Sequence, residues 1–275
     1  MRIHIAHTTA YRYDPPVNGV IQTLRLTPRN HEGQYVMRWR IEVSANCRLE
    51  QHEDAFGNII HNFTAEGRLD ALNVQVEGEV ETQDTAGIIR GAIERFPPSL
   101  FLRDTPLAHA DPAIAAFAEQ QEAASGDDRL TLLHRLLAGL SQDITFDTDP
   151  THAHTMAAEA FTLKRGVCQD FAHVFIAACR NRGVPARYVS GYLRRADGIV
   201  AQDAGHAWAE AFIPDLGWIA FDAANGVCAT DAYVRTAVGL DYLSAAPVRG
   251  TRYGGGSETL TVAVHVDQAG RQVQS

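Results

Sequence analysis

The sequence predicts an α+β fold: an N-terminal antiparallel β-sandwich, followed by helices packed on an antiparallel sheet. Two rhythms carry that expectation. From residue 1 to about 83 the apolar residues recur with a period of two, and from Asp111 onward they recur at the helical spacing of about 3.6. Length is the third observation, because 275 residues allow two separate cores. Residues 1–83 are assigned to a β-rich domain, 84–110 to a linker packed over the junction, and 111–275 to a second domain.

In the first part, Tyr35, Met37, Trp39, Ile41 and Val43 alternate with Val36, Arg38, Arg40 and Glu42. Similar alternation marks Ile3 to Tyr13, Val20 to Leu26, Ile59 to Phe63 and Val74 to Val80. Turn formers separate these runs, notably Pro15-Pro16, Asn18-Gly19, Pro28 to Gly33 and Phe56-Gly57-Asn58. Residues 84–110 have no clean period and contain Pro97, Pro98 and Pro106. Asp111 before Pro112 reads as a helix N-cap with proline at the first helical position, and Ile114, Phe117 and Ala118 begin a stripe that Ser125-Gly126 ends. A second helix starts at about Asp128, with Leu130, Leu133, Leu136, Leu137 and Leu140 as its buried face. Residues Thr145 to Thr155 read as loop, Ala157 to Leu163 as a short helix, Ala186 to Leu193 as a strand and Arg194 to Asp203 as a loop. Strands around His206 and Trp218 come next, and Leu260, Val262, Val264 and Val266 mark a last one after Gly254-Gly255-Gly256.

Composition narrows the functional classes. A net charge of -9 argues against non-specific nucleic-acid binding, which needs clustered Lys and Arg. The N-terminal residues lack the apolar core of a signal peptide, and no run approaches the roughly 20 apolar residues of a membrane span. A cytoplasmic protein with no membrane partner is the expectation. The four cysteines, Cys47, Cys168, Cys179 and Cys228, are too scattered for a disulfide scaffold and include no CxxC pair. His152 and His154 form an HxH pair, but no Cys or carboxylate joins them at ligand spacing, so neither a metal nor a cofactor is expected.

One stretch stands apart. In KRGVCQDFAHVFIAACRNR, Gly166 precedes an apolar run with Phe171, Val174, Phe175 and Ala178 at helical spacing, which puts Cys168 in the first turn of a buried helix. Helix N-termini favour thiolate over thiol, and Lys164 and Arg165 lie just upstream. Cys179, eleven residues on, reads as a buried apolar residue of the same helix. Downstream, GHAWAEAF carries His206 in an alternating run and GWIAFDAANG carries Asp222 at the end of the next. If Pro214-Asp215-Leu216 is a three-residue hairpin loop, Ile213 pairs with Gly217 and Asp222 falls opposite Trp208, diagonal to His206 and within about 8 Å. Singly, such residues are usually a core thiol, a satisfied histidine and a turn carboxylate. Together, in the order Cys, His, Asp, they suit nucleophilic catalysis.

These segments resemble the catalytic core of the transglutaminase-like (papain-like cysteine peptidase) superfamily, through RGVCQDFAH, GVPARYVSGYL and GHAWAEAFIPDLGWIAFDAANG. HTTAYRYDPPV and DAFGN resemble the β-rich N-terminal region that precedes that core in bacterial members. The resemblance implies a cysteine-dependent hydrolase of peptide or carboxamide bonds, with Cys168 as nucleophile, His206 as proton carrier and Asp222 as its orienting acid. Its substrate would be a peptide or protein amide. Alternatives are transamidation and a non-catalytic peptide-binding module on the same fold. For the oxyanion, the Cys168 backbone N–H is one natural donor, and Gln169 and Trp208 are candidates for a second. Glu210, on the same strand face as His206, is the fallback carboxylate. No DxDxDG calcium loop appears, which favours hydrolysis over transamidation, and no feature of the sequence sets an oligomeric state.

Overall fold

The computed structural model describes residues 1–269. Strand β1 (Arg2–Thr27) and strand β4 (Ile59–Thr82) pair antiparallel from Arg2 opposite Glu81 to Thr27 opposite Ile59. Strand β2 (Gln34–Val43) and strand β3 (Glu50–Glu53) flank opposite ends of β4. The turns expected at Pro15-Pro16 and Asn18-Gly19 are irregularities inside β1, where the register with β4 shifts between Arg12 and Gly19. Proline has no N–H to give the ladder, so the strand bends there without ending. Tyr11, Tyr13, Leu72 and Val74 on one side of this bend share a buried core with Val20, Leu24 and Phe63 on the other. The sandwich is therefore one hydrogen-bonded sheet folded over its own apolar face. The alternation expected in β2 also breaks, because a register shift between Val36 and Arg38 leaves Tyr35 and Met37 exposed while Trp39, Ile41 and Val43 turn inward.

The linker joins the second half. Strand β5 (Ile88–Ile89) pairs with Trp218 and Ile219, Phe101 and Leu107 are buried, and the Phe101 carbonyl accepts from Arg180 Nε at 3.0 Å. Helix α1 (Pro112–Ala123) is capped by Asp111, whose carboxylate accepts the Ile114 N–H at 2.9 Å. Helix α2 (Arg129–Asp143) is capped by Asp128 and buries Leu132, Leu133, Leu136, Leu137 and Leu140. Short parallel strands β6 (Thr145–Phe146) and β7 (Arg165–Gly166) enclose helix α3 (Ala157–Leu163). Next comes helix α4 (Cys168–Asn181), in which every residue from Asp170 to Arg180 is buried. A helix buried on all sides is central, and α4 packs against an antiparallel sheet. That sheet contains β8 (Ala186–Leu193), β10 (His206–Ile213), β11 (Gly217–Asp222), β12 (Val227–Cys228) and β13 (Tyr233–Gly239), in the order β12-β11-β10-β8-β13. Strand β9 (Ala201–Gln202) lies in the segment expected to be loop.

The chain's last described strands return to its beginning. After helix α5 (Tyr242–Ala245), strand β14 (Val248–Gly254) pairs with Val17–Leu24 of β1 and strand β15 (Ser257–Gln268) with Ile3–Asp14. The expected boundary of 111–275 is corrected accordingly: residues 248–268 belong to the first sheet, because β1 needs a partner on the edge that β4 leaves open. In the other direction, two side-chain amides reach from the first sheet to the edge strand β13. Gln34 donates to the Arg235 carbonyl at 2.9 Å and accepts its N–H at 2.8 Å, and Asn58 does the same for Val238 at 2.7 and 2.8 Å. Asn58 is itself fixed by Asp54, which accepts its side-chain and backbone N–H groups, each at 3.0 Å. Among the described residues no helix is long and apolar enough to cross a membrane.

Candidate active site

Cys168 is the first residue of α4, after Val167 in extended conformation. Val167 has no side chain that can cap the helix. Asp170 reaches back instead: its Oδ2 accepts the Val167 N–H at 2.8 Å and the Thr151 hydroxyl at 2.7 Å. A Cβ at position 166 would lie 2.6 Å from that oxygen, so the site requires Gly166. Burial raises the Asp170 carboxyl, and the bonds from Thr151 and Val167 only partly oppose this. Cys168 itself is half-buried against the cluster that contains Phe171, Ala172 and Tyr188.

The β10–β11 hairpin has the three-residue loop, with Ile213 opposite Gly217 and Ala209 opposite Phe221. In that register His206 Nε2 lies 2.6 Å from Asp222 Oδ2. Asp222 is fully buried and accepts four more bonds: from Tyr233 Oη and Asn225 Nδ2, both at 2.7 Å, and from the N–H groups of Ala224 at 3.1 Å and Asn225 at 3.2 Å. Burial acts to raise this carboxyl, but His206, Asn225 and Tyr233 outweigh it and hold it below the usual range. For His206 burial acts downward; the charge of Asp222, then the charge of Cys168 and hydrogen bonds to both, bring it up to about 10. The imidazole thus adjoins both groups. With Nε2 taken by Asp222, Nδ1 is the nitrogen left for the thiol. The Trp208 ring stacks on the imidazole at 6.1 Å.

Neither oxyanion candidate presents a free, open donor. Gln169 donates its amide to the Ala153 carbonyl at 3.3 Å, and the Trp208 indole N–H is enclosed without an acceptor. Glu210 is fully buried between Arg187 at 2.7 Å and Arg235 at 2.8 Å, so the fallback carboxylate is committed elsewhere. Sequence reasoning missed Asn225 and Tyr233. The Asp-Ala-Ala-Asn run could have revealed Asn225 as part of an Asx turn, whereas nothing local marks Tyr233. His154 N–H donates to His152 Nδ1 at 3.2 Å, and among the described residues no three His, Cys, Asp or Glu side chains group to hold a metal. Burial pushes up the Cys47, Cys179 and Cys228 thiols.

Residues 115–223 match the transglutaminase-like superfamily, and residues 3–81 match the bacterial transglutaminase-like N-terminal region. The chain belongs to the transglutaminase-like superfamily. Among relatives of this superfamily chain, an uncharacterised Mycobacterium leprae protein is 29% identical over 96% of this chain and 98% of its own length. A Pseudomonas aeruginosa protein-glutamine gamma-glutamyltransferase is 29% identical over 54% of this chain but only 24% of its own length. Among solved structures, a Cytophaga hutchinsonii protein described as a candidate cysteine protease superposes with a TM-score of 0.79 at 20% identity, covering 100% of this chain and 92% of that one. That likeness extends the shared fold across both halves of the chain.

Proposed function

We propose that this chain is a cysteine-dependent hydrolase that cleaves peptide or carboxamide bonds through a thioester. One observation carries the reading: the His206 imidazole is held at 2.6 Å by a buried carboxylate and adjoins a cysteine on the first turn of a buried helix. With His206 raised to about 10, the imidazolium is the favoured form at neutral pH, and it faces Cys168 as a cation. The Cys168 thiolate attacks the amide carbonyl, a C–S bond forms and the carbonyl electron pair moves to oxygen. On collapse the C–N bond breaks and the amine leaves with the His206 proton. Water then adds to the thioester carbonyl and gives a proton back to His206. The C–S bond breaks, which releases the acid and restores the thiolate. Asp222 performs no proton transfer in this cycle; it orients the imidazole and stabilises its charged form.

A second reading is favoured by one relative, which is named a protein-glutamine gamma-glutamyltransferase: an amine in place of water would give transamidation. One experiment tests both. The chain and its Cys168→Ala variant are incubated with a proteome-derived peptide pool, with and without a primary amine, and products are read by mass spectrometry. New carboxyl termini or deamidated side chains that depend on Cys168 support hydrolysis, and Cys168-dependent amine adducts support transamidation. Neither product at any ratio would leave a non-catalytic module.

A further inference from the structure

The Asp222 carboxylate is offered more hydrogen bonds than it has lone pairs. An ionised carboxyl has about four acceptor positions, two on each oxygen. Oδ1 uses its two on the N–H groups of Ala224 at 3.1 Å and Asn225 at 3.2 Å. Oδ2 faces three donors: His206 Nε2 at 2.6 Å, Asn225 Nδ2 at 2.7 Å and Tyr233 Oη at 2.7 Å. One of the three is surplus, so they compete for the charge on that oxygen. The Asn225 bonds belong to the turn that ends β11 and come with it. Tyr233 is different, because it reaches Asp222 from β13, which β10 and β8 separate from β11 in the sheet. It is 8% exposed, and its ring lies 5.9 Å from the imidazole and 5.4 Å from the Trp208 ring. Burial, then the charge of Asp222 and the bond to it, push the phenol well above its ordinary value, so the hydroxyl keeps its proton and remains a donor.

We propose that Tyr233 is a positioning residue for the proton carrier: its hydroxyl shares Asp222 Oδ2 with His206 Nε2, weakens the carboxylate's hold on the imidazolium, and so eases release of the Nδ1 proton to the departing amine. The inference rests on the hydrolase reading above. A general acid works best when its affinity for the proton is not far above the working pH. His206 already stands at about 10, and a buried carboxylate with no rival donor would hold the imidazolium more tightly still. The titratable groups around the pair are few. His206 faces Asp222 on β11, Cys168 on α4 and Tyr233 on β13, and Tyr233 faces Cys228 of β12 besides Asp222. Asp222 keeps its place without the phenol, because Asn225 Nδ2 and two backbone N–H groups still hold both oxygens.

The test uses the full chain with isotope-labelled histidine and reads the His206 Nε2–H proton by NMR at pH 7, identified by its absence in His206→Gln. Tyr233→Phe removes one rival donor and leaves the ring in place. The resonance should therefore move downfield, and the His206 titration midpoint should rise by about half a pH unit. Installing 3-fluorotyrosine at position 233, a stronger donor of nearly the same shape, should move both the other way and decides the matter if Tyr233→Phe does not fold. A lower melting temperature with both readings unmoved would leave the phenol a purely structural group and overturn the proposal. An upfield shift with a lower midpoint in Tyr233→Phe would mean that the hydroxyl aims Asp222 rather than competing for it, which overturns the proposal as well. Iodoacetamide labelling of the same samples tests the reading beneath. A fast Cys168 with an unmoved resonance overturns this proposal alone. If wild-type Cys168 alkylates no faster than Cys228, the hydrolase reading falls, and proton release to an amine falls with it even where the resonance shifts.

Discussion

Five hydrogen bonds converge on the Asp222 carboxylate, which has no contact with water to replace any of them. Asp222→Ala strands the imidazolium and the Tyr233 and Asn225 donors, so a loss of about 3–5 kcal/mol in unfolding free energy is expected. Asp222→Asn keeps one acceptor oxygen and should cost less. In turnover, Cys168→Ala and His206→Ala should fall to background, Asp222→Ala should lie well below wild type, and Asp222→Asn should retain the most, as measured on any substrate found by the peptide screen. The pair also predicts a pH dependence. His206 is raised from 6.5 to about 10 on folding, so its contribution is fully present below 6.5 and is lost as pH rises toward 10. Urea unfolding at pH 7 and pH 10 should show that loss in wild type and much less of it in Asp222→Asn. Cys168, His206 and Asp222 were legible because helix start, strand parity and loop length each constrain local sequence. Tyr233 and Thr151 were not, since each reaches its partner across the fold from an unremarkable segment.

At the level of elements, a buried ion cluster ties β8, β10 and β13 to the linker. Glu210 lies between Arg187 and Arg235, Arg187 also binds Glu94 at 2.7 Å, and its guanidinium sits 3.8 Å over the Trp218 ring. Burial would raise Glu210, but Arg235 and then Arg187 outweigh it and hold the carboxyl at about 2. Its contribution is therefore present above the usual carboxylate range and is lost as pH falls toward 2. Glu210→Ala leaves two buried guanidinium groups facing each other and should cost about 3–5 kcal/mol by chemical denaturation. Where the variant remains folded, Cys168 should alkylate at the wild-type rate. A slowed thiol would mean that Glu210 supports His206 after all. The β10–β11 register could be read from one three-residue loop because a hairpin is a local object. The ends of β1 and β2 could not, since Pro15-Pro16 and the Val36–Arg38 irregularity are decided by the strand across the ladder.

Across the whole molecule, the two sheets depend on each other through pairings that no local pattern announces. The C-terminal strands β14 and β15 complete the first sheet, and the DAFGN segment of the first sheet supplies Asn58 to the edge of the second. Asn58 works as a one-residue strand: its amide occupies the N–H and carbonyl of Val238, and Asp54 and Gly57 at a φ of 82° hold the turn that aims it. Asn58→Ala leaves both Val238 groups buried and unpaired, at about 1–3 kcal/mol each. For a chain of this size, melting should fall by about 2–4 °C per kcal/mol. Truncation before Val248 is a different lesion. It bares the β1 edge from Ile3 to Leu24, with alternate residues apolar, and an open edge of that length invites pairing between chains. The truncated chain should elute as aggregate, whereas Asn58→Ala should remain dispersed, retain its Cys168 alkylation rate at 20 °C and merely melt earlier. A truncated chain that stays dispersed, with the wild-type circular dichroism spectrum and melting temperature, would mean that the first sheet stands without its returning strands.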